Sequence, residues 1–219
     1  MSNIDIKKVK SDDRYIIDEI VSIHLATFKG FFLTFMGKGF LKQMYKSYTE
    51  HSQSDILVAA CDGETVGFLA YSENMSGLYK YMIKHHLIRF AWYSFGAFLR
   101  KPKVFMRLVR AFLKPGESVR KENYVELASI GTKPDSKSKG VGSSLIDALK
   151  NEVDYSKFDY ITLETDAIDN EIANNFYKKN GFYIHREYET NEGRKMFEYR
   201  YEGDKNEKDA IHTEYSKKS

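Results

Sequence analysis

Residues 137–142, Lys137-Ser138-Lys139-Gly140-Val141-Gly142, have the types and spacing to hold an anion. They follow an apolar run, Tyr124–Thr132, and open a helical pattern over Gly140–Asn151. The first N–H groups of a helix have no partner inside it, and the helix dipole is positive at that end. A strand feeding such a start through a glycine turn makes a phosphate cradle. Glycines at 140 and 142 let the backbone approach a phosphate with no Cβ in the way. The ligand expected from this stretch is a phosphorylated cofactor. A dinucleotide fingerprint would need a third glycine three residues on, where Leu145 stands, so a dinucleotide fold is disfavoured.

Other reactive side chains carry less. His24 sits among apolar neighbours in a helical stretch and reads as a packed or substrate-lining residue. His85 and His86 are adjacent, so on a helix they point apart and make no i,i+4 metal pair. His185 lies on a late strand and is assigned no role. The single Cys61 cannot form an internal disulfide, and no Cys/His spacing calls for a metal. Cys61 reads as a small buried apolar residue at a strand end.

The elements that must position this chemistry follow from periodicity. Ile4–Val9 reads as a strand, and Tyr15–Phe28 as a helix that Ser11-Asp12-Asp13 can cap. Lys29–Lys38 is a glycine-bounded aromatic loop, and a second helix covers about 39–48. Ile56–Cys61 and Val66–Tyr71 form a hairpin through Asp62-Gly63. About 74–116 is an insertion expected to form two helices, about 78–98 and 103–113, punctuated by Pro102 and Pro115. After it come strand Tyr124–Thr132, helix Gly140–Asn151, strand Tyr160–Thr165, helix Asn170–Lys179, and strands Phe182–Glu189 and Lys195–Tyr201. An antiparallel opening followed by strand–helix alternation implies an α/β fold with a mixed sheet. The expected organisation is one domain over residues 1–202, with a polar, disordered tail over 203–219.

Charge is divided unevenly. From Asn74 to Gly116 there are nine Lys/Arg and no Asp or Glu, while the remaining 25 Lys/Arg face 31 Asp/Glu. Nucleic acid is disfavoured as a partner, because the positive charge is confined to one insertion and no nucleic-acid motif accompanies it. No apolar run reaches the length of a membrane span, and the first residues lack a secretory pattern. A reducing, cytoplasmic setting is expected.

Residues 124–202 resemble the cofactor-binding half of the GNAT superfamily of acyl-CoA-dependent N-acetyltransferases. That family carries Gln/Arg-x-x-Gly-x-Gly/Ala after its fourth strand, matched here by Lys137 through Gly142, with Pro134 shortly before. A second family pattern, Asn-x-x-Ala-x-x-x-Tyr-x-x-x-Gly-Phe, runs ungapped through Asn170, Ala173, Tyr177, Gly181 and Phe182. The resemblance implies a central mixed sheet flanked by helices, with a helical insertion between strands 3 and 4. It implies acetyl-CoA as donor, with the pantetheine arm bonding to the backbone of Ile130, Gly131 and Thr132. The first of those N–H groups would polarise the thioester carbonyl. It places the pyrophosphate on Lys137, Ser138, Lys139, Gly140, Val141, Gly142 and Ser143, and the cofactor arm beside Asn170. Lys137 departs from the usual Gln or Arg, keeping the charge and losing the guanidinium fork.

The implied reaction needs a base for the ammonium and an acid for the departing thiolate. Tyr177 matches the family's acid position. Glu126 is the expected base, and strand alternation puts Glu126, Ala128 and Ile130 on one face with Ser129 on the other.

The acceptor is expected to be a small-molecule amine, with a nucleotide-linked amino sugar ranked first. A protein or peptide amine, or acyl-CoA binding without turnover, are the alternatives. The Gly30–Thr34 loop and the basic insertion resemble GNAT proteins associated with bacterial surface-polysaccharide synthesis. The insertion has three open roles: covering the acceptor site and binding an anionic substrate, lying on an anionic membrane, or forming a lid or homodimer contact.

Overall fold

The computed structural model describes residues 4–100, 102–103, 106, 122–134, 140–191 and 193–203. The tail from 204, most of 101–121 and residues 135–139 lie outside the described residues, so the second insertion helix expected over 103–113 does too.

Seven strands form one sheet: β1 (Ile4–Lys8), β2 (Ser54–Cys61), β3 (Glu64–Ser72), β4 (Tyr124–Thr132), β5 (Tyr160–Asp166), β6 (Tyr183–Glu189) and β7 (Lys195–Tyr201). Their order is β1-β2-β3-β4-β5-β7-β6. Every neighbouring pair is antiparallel except β4–β5, so the sheet is mixed, as expected. The β2–β3 hairpin turns at Asp62 and Gly63, both at positive φ, the backbone an Asp-Gly pair is suited to.

Four helices cover one face: α1 (Arg14–Thr27), α2 (Phe32–Met36), α3 (Lys38–Glu50) and α4 (Met75–Arg100). Asp13 caps α1 by accepting from the Ile16 N–H at 3.0 Å. Two helices, α5 (Val141–Glu152) and α6 (Glu171–Lys179), cover the other face.

Period-2 alternation divides the sheet between two cores. Ile56, Val58, Phe68 and Ala70 pack with α1, α3 and α4, while Leu57, Ala59, Leu69, Tyr71, Val125 and Leu127 pack with α5 and α6.

Two expectations need correction. The aromatic loop over 29–38 contains a helical turn, α2, held between Gly30 and Gly37 at positive φ. The first insertion helix is longer than expected, running unbroken from Met75 to Arg100.

Candidate active site

β4 positions the site, because its two neighbours treat it differently. β3 pairs with it from Gly67–Thr132 to Ser72–Glu126. β5 pairs with it only at Tyr124–Tyr160, Val125–Ile161 and Glu126–Thr162. Beyond Glu126 the two parallel strands part, so residues 127–132 carry backbone groups on the β5 side that no strand among the described residues satisfies. Unpaired strand groups are a template for an extended ligand with amide groups of its own. Ile130, Gly131 and Thr132 lie on this stretch.

A β-bulge changes which side chains share a face. Tyr71 pairs with Leu127 and Ala70 with Ser129, leaving Ala128 as the extra residue. Simple alternation fails here. Ile130 packs with Val125 and Leu127 on the α5 side. Glu126, Ala128 and Ser129 line one pocket on the α3–α4 side. The expectation that Glu126 and Ile130 share a face, with Ser129 opposite, is therefore wrong, and the inserted Ala128 is the cause.

That pocket, about 120 Å³, is walled by Leu33, Met44, Tyr45, Tyr48, Met75, Tyr79 and Met82 in addition to the three β4 residues. Burial pushes the hydroxyls of Tyr45, Tyr48 and Tyr79 well above the ordinary tyrosine range. The charge of Glu126 adds to the shift at Tyr79, and for Tyr48 the neighbouring Tyr79 and then Glu126 add to it. These hydroxyls stay neutral, and Glu126 supplies the only carboxylate among the described wall residues.

Sequence reading missed the tyrosines and methionines because they occupy ordinary core spacing. Met44, Tyr45 and Tyr48 fall at i, i+1 and i+4 on α3, and Met75, Tyr79 and Met82 at i, i+4 and i+7 on α4. Two helix stripes meeting over one strand carboxylate is the juxtaposition no single stripe reveals.

A hydrogen-bond chain leads inward from the pocket. Tyr45 Oη lies 3.4 Å from Ser129 Oγ and 2.6 Å from His24 Nδ1. His24 is 3% exposed, and burial lowers its pKa to about 4. Its Nε2 is buried with no partner among the described residues. His24 is thus a neutral, packed residue that anchors Tyr45.

On the other face, α5 begins at Gly140 with φ +90, a left-handed conformation that favours glycine. Among the described residues nothing lies within 4 Å of where a Cβ on Gly140 would stand. Among the described residues no side chain caps the start of α5, so its first N–H groups, on Val141, Gly142 and Ser143, are placed as anion donors. Gly142 is small for a second reason: a Cβ there would stand 3.0 Å from the Phe176 ring of α6. Gly131 is confined by Phe68 at 3.1 Å and Phe28 at 3.4 Å from the same imagined Cβ. Thr27 Oγ1 donates to the Thr132 carbonyl at 3.0 Å, tying α1 to the far end of β4. Lys137, Ser138 and Lys139 lie outside the described residues.

Asn170 stands at the start of α6, where its side-chain amide donates to Thr165 Oγ1 at 2.7 Å and to the Asp166 carbonyl at 3.2 Å. It holds the diverging end of β5. Tyr177 is buried in the α5–α6 core against Phe176, Phe182 and Tyr199. Burial raises its pKa well above the ordinary value.

The site thus joins an open strand edge, an uncapped helix start and a carboxylate in an aromatic pocket. Comparisons with known proteins bear on the fold that carries this site. A family model described as "Acetyltransferase (GNAT) family" matches residues 18–182. No curated protein matches the chain by sequence. A GNAT-family acetyltransferase from Bacillus cereus ATCC 10987 superposes with a TM-score of 0.55 at 17% identity, over 93% of this chain and 99% of its own. A GNAT-family protein from Desulfovibrio desulfuricans gives 0.57 at 14% identity, over 91% and 99%. The Salmonella typhimurium protein yncA, solved with acetyl-CoA, gives 0.56 at 12% identity, over 92% and 95%. At these identities the likeness is one of fold. The family model covers most of the chain, and the chain belongs to the GNAT acetyltransferase family.

Proposed function

We propose that this enzyme transfers an acetyl group from acetyl-CoA to the primary amine of a small molecule. The observation that carries the reading is the parting of β4 from β5 just beyond Glu126, which sets an open backbone edge beside a pocket holding one carboxylate.

The residues present suit the donor. The free edge of 127–132 offers main-chain groups to the amides of a pantetheine arm. The N–H groups of residues 140–143 and the open space over Gly140 suit a pyrophosphate, and the sequence just before them supplies two further cations, Lys137 and Lys139. Bound there, acetyl-CoA supplies an acyl group activated as a thioester. The acetyl-CoA of yncA, a protein of like fold, supports the same donor.

Glu126 takes the proton from the incoming ammonium, directly or through a water, so that the neutral amine attacks the thioester carbonyl. A backbone N–H at Ile130 stabilises the oxygen as charge develops on it. Tyr177 is assigned the proton for the departing sulfur by its place in the second family pattern; its burial in the α5–α6 core, which raises its pKa, does not itself favour that transfer. Direct transfer needs no protein nucleophile, and Cys61 is buried on β2, away from the residues of the pocket.

The pocket's tyrosine and methionine walls favour an amine borne on an apolar or ring-shaped body, an amino sugar among them. A nucleotide attached to such a sugar would have to extend beyond these walls, whose described residues include no Lys or Arg.

A thiol-release assay with acetyl-CoA tests the proposal against amino sugars, nucleotide-linked amino sugars, alkyl and aryl amines, and peptides. Release that depends on a small amine is expected. Donor binding without release for any amine would overturn turnover, and release with peptides alone would overturn the substrate class.

A further inference from the structure

Helix α4 has two apolar faces, and the fold uses one of them. Met75, Leu78, Met82 and Ala97 are buried in the core, with Tyr79 and Phe90 packed against it. On the outward side, Leu87, Ile88, Trp92, Phe95 and Leu99 are exposed, Ile88 at 85% and Trp92 at 76%. Eight of the fifteen large apolar side chains exposed among the described residues lie on this one helix. A surface helix ordinarily turns polar residues outward, and a helix apolar all round is one that something covers.

Charge identifies what covers it. Lys80, Lys84, Arg89 and Arg100 lie on the helix, Lys101, Lys103, Arg107, Arg110 and Lys114 follow, and no acidic residue occurs between Asn74 and Gly116. A second copy docked through this face about a two-fold axis would bring two acid-free basic segments together. An anionic lipid surface meets both features, taking the apolar side chains at the acyl boundary and pairing the cations with headgroups. A tryptophan at the centre of the face suits that boundary. No helix among the described residues is long and apolar enough to cross a membrane, so the contact is one of lying on the surface.

We propose that the outward face of α4, centred on Ile88, Trp92 and Phe95, seats the protein on anionic membranes. The same helix lends Met75, Tyr79 and Met82 to the acceptor pocket, so seating would hold one wall of that pocket close to the lipid surface.

Trp92 is the only tryptophan of the chain, so its fluorescence reports this face alone. The full chain is mixed with phosphatidylcholine vesicles with and without phosphatidylglycerol. A blue shift and co-flotation are expected with phosphatidylglycerol, at an affinity at least about tenfold above pure phosphatidylcholine and reduced by high salt. Bromine-labelled acyl chains should quench Trp92. Ile88→Glu, at an exposed position outside the pocket, should lose binding while thermal stability and thiol release in solution stay unchanged. No shift with anionic vesicles, or an Ile88→Glu variant that binds as well as the parent, would overturn the proposal. A lipid-free blue shift that rises with protein concentration, with a doubled mass in sedimentation, would also overturn it in favour of a second copy.

Discussion

The two faces of β4 do different work by different means. Toward α5 and α6, the candidate donor side offers mainly backbone: an open strand edge and an uncapped helix start entered through Gly140. Toward α3 and α4, the candidate acceptor side offers side chains: Glu126 among three tyrosines and three methionines. Backbone recognition constrains few residue types, and those few are glycines and caps at fixed spacing. Side-chain recognition can be rewritten residue by residue on the same scaffold. The contrast explains why one side of the strand is legible as a motif and the other is not.

The contrast breaks most visibly at Glu126. Glu126→Gln keeps shape and removes the base, so turnover should fall by roughly 10²–10⁴-fold, with donor affinity within about twofold. Thiol-release kinetics and calorimetric titration with acetyl-CoA measure the two halves separately. A matching loss of donor affinity would merge the two sides.

His24 sharpens the acceptor side through pH. Its pKa is about 4 when folded and near 6.5 in the open chain. As pH falls from 6.5 toward 4, the unfolded chain takes up a proton that the folded state refuses. Stability is therefore full above 6.5 and declines below it, by up to about 3 kcal/mol. Urea unfolding across that range should show the decline, and His24→Gln should flatten it. An unchanged acid limb in the variant would move its cause elsewhere.

Gly142 tests the donor side from the packing direction. Because a Cβ would stand 3.0 Å from Phe176, Gly142→Ala should cost about 1–3 kcal/mol, and Phe176→Leu should recover part of it. Full stability with lost donor binding would show that the approach of the pyrophosphate, and not the Phe176 ring, is what requires glycine at 142. The smallest effect is expected at Ser129, which bonds Tyr45 at 3.4 Å. Ser129→Ala should raise the amine KM by about threefold to tenfold with kcat nearly intact, the scale of one neutral hydrogen bond.

Much of the frame was readable from residues alone. The limits of β4 and β7, the Asp62-Gly63 turn and the start of α5 follow from apolar runs and turn chemistry. What escaped is what periodicity cannot carry. A bulge adds one residue without altering composition, so Ala128 inverted the faces of Ser129 and Ile130 unseen. Tyr45 and Tyr48 look like core on α3, and they are core. They become pocket walls only where α4 and the bulged strand close over them. Phe32–Met36 was hidden as a helix by its bounding glycines and its shortness.

The central claim is that one strand carries the donor on its free backbone edge and the acceptor on its Glu126–Ser129 face. A crystal structure of the protein with CoA tests it directly. The account predicts pantetheine amides bonded to the main chain of residues 127–132, with the sulfur at the mouth of the pocket that holds Glu126. A pantetheine arm bound elsewhere, or a sulfur walled off from Glu126 by the strand, would contradict it.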